Sequence, residues 1–408
     1  MIEAERAGTE PAGTRRTTPG HDDPSSRSFH RLPPAALMSA AVLAPGGSMP
    51  QSAKTTPTSA PAPGDRAPAA GRPSAARPAA VHRTVEAPAG RIHLVEQGTG
   101  PLVLMVHGFP ESWYSWRHQL PALAAAGYRA VALDVRGYGR SSKPREVAAY
   151  RMLAHVADNV AVVRALGEET AVIAGHDWGS PIAANSALLR PDVFTAVALL
   201  SVPYAPRGAI RPTEAFAQLG GDEEFYINYF QEPGRAEAEI EPDVRSWLAG
   251  FYAGLSGDAE PSADPAGAGL FSVPPGGKLS DRFPAGPPPH SWLTEADLDF
   301  YASEFERTGL TGGLNRYRNV DRDWEDLAAW DGAKLTQPAL FIGGEHDAPA
   351  QWMADAIKAF SHTLPGLSAA HLLDGCGHWT QQERPEEVNG LLLDWLRSLP
   401  ATSVRTAS

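Results

Sequence analysis

A single cysteine, Cys376, among 408 residues excludes an intrachain disulfide framework and any zinc site built on several cysteines. Long apolar runs are missing as well. The longest apolar-or-small run in the first 80 residues, Ala35 to Ala44, falls well short of the roughly 20 residues that cross a bilayer. Aromatics are almost absent from residues 1–80, which hold 13 of the 38 prolines but only Phe29. Such a segment cannot bury enough apolar surface to offset the entropy of ordering, so it reads as a disordered tail. The tail is basic on balance, so the remainder carries more than the whole net charge of −12. That acidity disfavours nucleic acid and anionic membrane as partners. Ala35 to Ala44 follows Arg27 and Arg31 and has the size of a signal-peptide core, but it starts far from Met1 and no clean A-x-A site follows. Met38 and Met49 are alternative starts. A cytoplasmic protein is expected, with secretion the alternative.

What is present is a rhythm. From Val81 onward short β-prone runs alternate with helical patterns, the signature of a mostly parallel sheet with helices on both faces. Candidate strands are Val81 to Glu86, Arg91 to Glu96, Leu102 to Val106, Arg129 to Leu133, Ala171 to Ala174, Ala196 to Val202, Ala339 to Ile342 and Ala369 to Leu373, an eight-stranded core. Between Val202 and Gln337 the rhythm stops. Helices are expected there over Thr213 to Leu219, Glu223 to Tyr229, Ala236 to Tyr252 and Thr294 to Arg307, with a Pro/Gly-rich stretch from Pro261 to Pro289. The organisation expected is a tail at 1–80, an α/β core at 81–202 and 337–400, a helical cap or lid at 203–336 and a short C-terminal tail at 401–408. Gly137-Tyr138-Gly139-Arg140-Ser141-Ser142 lacks the third glycine of a dinucleotide loop and reads as a tight turn.

The chemistry gathers at Gly175-His176-Asp177-Trp178-Gly179. A β-prone run precedes it and an Ala-rich helical run, Pro181 to Leu189, follows. A strand therefore turns sharply into a helix at Asp177, at the G-x-nucleophile-x-G spacing of an α/β-hydrolase elbow, with an acid where serine is usual. The bland alternative is a cap for the helix. An aspartate nucleophile forms an ester with its substrate, and that ester needs a base and an orienting acid for hydrolysis. Both exist in the order the fold requires. Asp347 follows the strand ending at Ile342, and His378 follows the last strand, in Gly377-His378-Trp379. His107-Gly108-Phe109-Pro110 follows Leu102 to Val106; the loop in that place supplies one oxyanion-hole N–H, here Phe109, and the residue after the nucleophile, Trp178, supplies the other. His107 and His176 then read as structural neighbours, Glu345 and His346 as turn residues, and Cys376 as a small packed residue.

With these motifs in hand, the chain from about Val81 to Leu399 resembles the epoxide hydrolases of the α/β-hydrolase superfamily, of the soluble mammalian and actinobacterial type. The resemblance rests on His107 to Trp113, Asp134 to Ser142, the Asp177 elbow and Gly377-His378-Trp379, together with Phe225 to Gly234 and Leu314 to Asn319 in the insertion. It implies that Tyr226 and Tyr317 are the acids that grip the epoxide oxygen, with Tyr229 the main ambiguity. It also implies a vicinal diol as product, a covalent Asp177 ester, and neither metal nor organic cofactor. Trp113, Trp116 and Trp178 suggest an apolar pocket for a lipophilic epoxide, Tyr229 counting with them, though core packing explains such aromatics equally well. A homodimer is open.

Two other readings compete. Haloalkane dehalogenases use the same acid, histidine and acid logic, but a halide leaving group wants N–H donors and no proton. Phe109 stands where that family commonly has Asn, and paired cap tyrosines suit an alkoxide. A catalytically silent binding protein on this fold would be expected to have lost a triad member, and none is missing.

Overall fold

The computed structural model describes residues 79–88, 90–259, 268–283 and 291–400. The disordered-tail and signal-peptide readings, and parts of the Pro261 to Pro289 stretch, lie outside them. Eight strands form one sheet: β1 (Val81–Ala87), β2 (Gly90–Gln97), β3 (Leu102–Val106), β4 (Arg129–Leu133), β5 (Ala171–His176), β6 (Phe194–Leu200), β9 (Ala339–Gly344) and β10 (Leu367–Leu373). A separate pair, β7 (Glu224–Phe225) and β8 (Ser272–Val273), lies in the insertion. The sheet order is β1-β2-β4-β3-β5-β6-β9-β10. The β1–β2 and β2–β4 pairings are antiparallel and the remaining ones parallel.

Composition explains the placement. Every residue of β3 and β5 is buried, as near-continuous apolar runs covered on both faces must be. Side chains alternate between two cores: Leu104 and Val106 face one, Val103 and Met105 the other. β10, at the edge, alternates partly buried with exposed residues. The helix Pro385–Ser398 buries Val388, Leu392, Trp395 and Leu396, one stripe at helical spacing, against the second core.

The insertion between β6 and β9 is mainly helical, and its apolar side chains continue the first core. Several local expectations needed revision. The helix expected over Ala236 to Tyr252 is broken into Arg235–Ile240, a 3₁₀ turn and Val244–Gly254. Pro242 supplies no N–H at the break, and the Asp243 carboxylate caps the new helix by accepting from Ser246 N at 3.1 Å. Glu224 and Phe225 pair as a strand with β8, leaving only Tyr226–Tyr229 helical. Two short helices, Thr311–Tyr317 and Val320–Asp326, were not expected from periodicity. Thr294, by contrast, starts its helix as read, in a reciprocal capping box with Asp297.

The insertion is fastened to the core on both sides of the elbow. Tyr252 donates to the Pro110 carbonyl at 2.6 Å, and His378 N donates to the Leu255 carbonyl at 2.8 Å. Trp379 Nε1 adds a bond to the Tyr252 carbonyl at 3.0 Å.

Candidate active site at the carboxyl end of the sheet

β5 delivers Asp177 into a turn that few side chains tolerate. Its φ is +50°, one of two positive values among non-glycine described residues. A Cβ on Gly175 would lie 1.9 Å from the Gly179 carbonyl oxygen, so this turn can close only over glycine. A Cβ on Gly108 would likewise meet the Asp177 carboxylate at 2.2 Å. That absence lets the loop after β3 come close enough for Phe109 N to donate to Asp177 Oδ1 at 2.7 Å. The helix Gly179–Leu189 starts just beyond, with Trp178 at its N-cap position, so its positive end faces the carboxylate.

On the other side of Asp177 stands His378. Its Nε2 lies 3.5 Å from Asp177 Oδ2, and its Nδ1 lies 2.9 Å from Asp347 Oδ1. Burial alone would hold the imidazole neutral. The Asp347 and Asp177 carboxylates together outweigh that desolvation and raise its pKa to about 10. In the resting site His378 is therefore an imidazolium between two acids.

Tyr226 and Tyr317 come from different helices of the insertion and meet with ring centroids 5.9 Å apart. Burial, and then the negative charge of Asp177, push the Tyr226 phenol pKa up; a hydrogen bond from Tyr317 acts the other way. The Tyr317 phenol is raised well above its ordinary value by burial, by Tyr226 and by Asp177. Both phenols are thus kept protonated beside a carboxylate. Phe109 packs edge-on against Tyr317, Phe230, Trp247 and Phe251, giving the neighbourhood an aromatic wall. Trp178 stands edge-on to Tyr317 at 5.1 Å, with the Arg316 guanidinium over its ring.

Other sequence candidates go elsewhere. Tyr229 turns away from the pair: its hydroxyl donates to Glu239 Oε2 at 2.6 Å, and the Arg235 guanidinium lies over its ring at 4.2 Å. Trp113, expected in the substrate pocket, packs against His82, Tyr114 and Phe300 beneath the β1–β2 edge. Trp116 is wholly buried in the second core. Cys376 is buried beside the histidine loop, and its thiol pKa is pushed up by that burial, which makes it inert. Glu345 and His346 are exposed turn residues. Among the described residues no group of three or more His, Cys, Asp or Glu is placed to hold a metal ion, and no helix is long and apolar enough to cross a membrane.

Two features escaped the sequence. His176 and Glu111 form a buried pair at 2.9 Å that ties the Phe109 loop to the histidine loop: Gly108 N donates to Glu111, and His176 Nε2 donates to the His378 carbonyl. Desolvation opposes the Glu111 charge, but His176 overcomes it and holds the carboxyl at about 2. Nothing in the motif distinguished Glu111 from a surface glutamate. The second is Ser201, whose Oγ lies 3.1 Å from His378 Nδ1.

Sheet order, elbow and helical insertion together define an α/β hydrolase whose elbow carries a carboxylate. The model of the alpha/beta hydrolase fold family matches residues 101–385. Epoxide hydrolase B of Mycobacterium tuberculosis is 45% identical, over 78% of this chain and 99% of its own length. Among solved structures, an epoxide hydrolase from an endophytic Streptomyces is 76% identical with a TM-score of 0.76, covering 78% of this chain and 95% of that one. Epoxide hydrolase A from Mycobacterium thermoresistibile is 46% identical with a TM-score of 0.74, covering 79% and 99%. The chain belongs to the epoxide hydrolases of the α/β-hydrolase fold, and its activity is that of an epoxide hydrolase.

Proposed function

We propose that the protein converts a lipophilic epoxide and water to a vicinal diol in two covalent steps, beneath the insertion acting as a lid. The observation that carries this reading is the pair of protonated phenols, Tyr226 and Tyr317, facing the charge of Asp177. An epoxide oxygen departs as an alkoxide, which is a poor leaving group at neutral pH until donors stabilise it. In the first step Asp177 attacks a ring carbon from the face opposite the ring oxygen, the C–O bond of that same carbon breaks, and a tyrosine proton passes to the alkoxide. Asp177 is now a neutral ester. One of the two carboxylates that held the proton on His378 is gone, so the imidazolium releases it and the phenolate is reprotonated.

Neutral His378, oriented by Asp347, then takes a proton from water, which attacks the Asp177 carbonyl carbon. The tetrahedral oxyanion is held by the N–H groups of Phe109 and Trp178. Support for this role comes from Phe109 N, already donating to Asp177 Oδ1, and from the N-cap position of Trp178, whose N–H the helix does not use. Collapse expels the diol, whose departing alkoxide oxygen takes the proton that His378 received from water, leaving His378 neutral again. The new carboxylic acid loses its proton next to His378, restoring the resting ion pair. The aromatic wall around Phe109 favours an apolar substrate. We place the protein in the cytoplasm, because no clean cleavage site follows Ala35 to Ala44.

The test is a single turnover in ¹⁸O-water with excess enzyme and styrene oxide. Water attacks the ester carbonyl carbon, so the label should enter Asp177 and not the first diol. Label found directly in that diol would overturn the covalent route. A parallel panel of a fatty-acid epoxide, a haloalkane and a nitrophenyl ester fixes the substrate class, and faster turnover of the haloalkane would overturn the epoxide assignment.

A further inference from the structure

β6 ends one residue before Ser201, and the chain leaves the sheet there through an unusual bend. Ser201 N still donates to the Ile342 carbonyl of β9 at 2.9 Å, while Val202 N donates back to the Leu200 carbonyl at 2.9 Å. That i→i+2 bond closes a three-residue turn around Ser201, whose φ is +69°. A γ-turn of this hand is rare and strained, and serine has no steric licence for it. Ser201 is also fully buried. Besides Asp177, it is the other non-glycine described residue at positive φ, and the two flank the same histidine. Strain that the surrounding structure enforces at a buried polar residue points to function.

The bend brings the hydroxyl onto the catalytic base. Ser201 Oγ and Asp347 Oδ1 lie 3.1 and 2.9 Å from the same atom, His378 Nδ1, and approach it from the ends of two adjacent strands. Asp347 uses one oxygen for this; its Oδ2 has no hydrogen-bond partner among the described residues. We propose that Ser201 is a positioning residue for the hydrolytic half-reaction: its hydroxyl shares the Nδ1–H of His378 with Asp347 and fixes the tautomer whose Nε2 faces Asp177. The proposal rests on the two-step reading above. A single acceptor leaves the ring free to pivot about its bond to Asp347. A second acceptor on another strand removes that freedom without adding a charge. The other ionisable groups facing the histidine are Asp177 at Nε2, His176 with its ring centroid 5.0 Å away, and Glu383, which accepts from Gly377 N and Trp379 N.

The experiment uses the full chain and styrene oxide, with alkylation and ester hydrolysis resolved by pre-steady-state kinetics in Ser201→Ala, Ser201→Gly and Ser201→Asn. Glycine accepts the bend without strain, so that variant folds while lacking the hydroxyl. Alanine and glycine are expected to slow ester hydrolysis about tenfold and to leave alkylation within about threefold, the size of one lost charge-assisted hydrogen bond. The acid limb of the hydrolysis rate should move to lower pH by about half a unit, because the imidazolium loses an acceptor. Asn tolerates positive φ and carries an acceptor, and should recover most of the rate. Hydrolysis within twofold of the parent with an unmoved limb in both Ala and Gly variants would overturn the proposal. So would equal losses in both steps accompanied by a lower Tm, which is what a merely structural serine produces. If His378→Gln accumulates no adduct, the two-step reading has failed instead, whatever the Ser201 variants do.

Discussion

Removing the two phenols one at a time is the most discriminating perturbation of this site. Phenylalanine at position 226 or 317 deletes one oxygen and keeps the ring, so the edge-on packing of Tyr317 on Phe109 and Trp178 survives. On the proposed mechanism, what is lost is a donor, preorganised by burial, at the place where alkoxide charge develops. Loss of one such acid or oxyanion donor slows reactions by about 10- to 10³-fold, equivalent to about 1.4 to 4 kcal/mol in the barrier. Each single change should therefore slow alkylation by that factor, and the double change should leave almost no activity. Ester hydrolysis, which uses His378 and backbone N–H groups, should change far less. Tyr229→Phe is the internal control. Its hydroxyl bonds Glu239, which also receives Trp247 Nε1, Leu279 N and Ser280 N and so stays satisfied when the phenol goes. The expected cost is about 1 kcal/mol of stability with no effect on rate. The assay is stopped-flow fluorescence, with Trp178 beside the reacting carboxylate as the reporter. A crippled Tyr229→Phe with a healthy Tyr226→Phe would refute the assignment within the motif, and three harmless changes would refute proton donation by the insertion altogether.

Other outcomes follow from the charges around His378. His378→Gln should accumulate the alkyl-enzyme, because Asp177 needs no base to open the ring; intact-protein mass after mixing with substrate should rise by the mass of the epoxide, and no gain despite binding would count against the division of labour. Asp177→Asn reproduces the charge of the ester state, so the His378 pKa should fall clearly below its resting value of about 10; an unchanged imidazole titration by NMR would contradict the proton-release step. Because the folded-state pKa of His378 lies above its unfolded value, its contribution to stability is complete below about pH 6.5 and disappears as pH rises through about 10. Denaturation midpoints of the parent should therefore fall across that window, and His378→Gln should flatten the fall. Glu111→Gln replaces the buried carboxylate that pairs with His176 Nδ1 and accepts from Gly108 N, and should destabilise the fold by about 1 to 3 kcal/mol in urea titrations; a loss under about 0.5 kcal/mol would mean that the pair does not hold the two loops.

The parts of this molecule that were legible in its sequence are those where one residue's environment is local or periodic. β3 and β5 are near-continuous apolar runs because both faces are covered, and a reader sees the run without knowing what covers it. The elbow was legible because its two glycines stand at fixed offsets that only close backbone approach demands. Tyr226 and Tyr317 were of a different kind. They lie 91 positions apart, meet only through the fold of the insertion, and carry no periodic signal, so resemblance alone singled them out. Residues 224–229 show the cost of purely local reading: the same six residues look helical throughout, yet β8 captures the first two as a strand. That capture fixes where the helix begins, at Tyr226, so a long-range pairing decides an element boundary. Ser201 completes the argument. Its identity is ordinary and its neighbours β-prone, so the sequence extends β6 to Val202; the strand instead stops at Leu200 because the turn needed to bring a hydroxyl to His378 cannot be part of a sheet. The expectation was wrong by two residues at a strand end where, as at Asp177 after β5, the backbone departs from its preferred conformation beside the histidine.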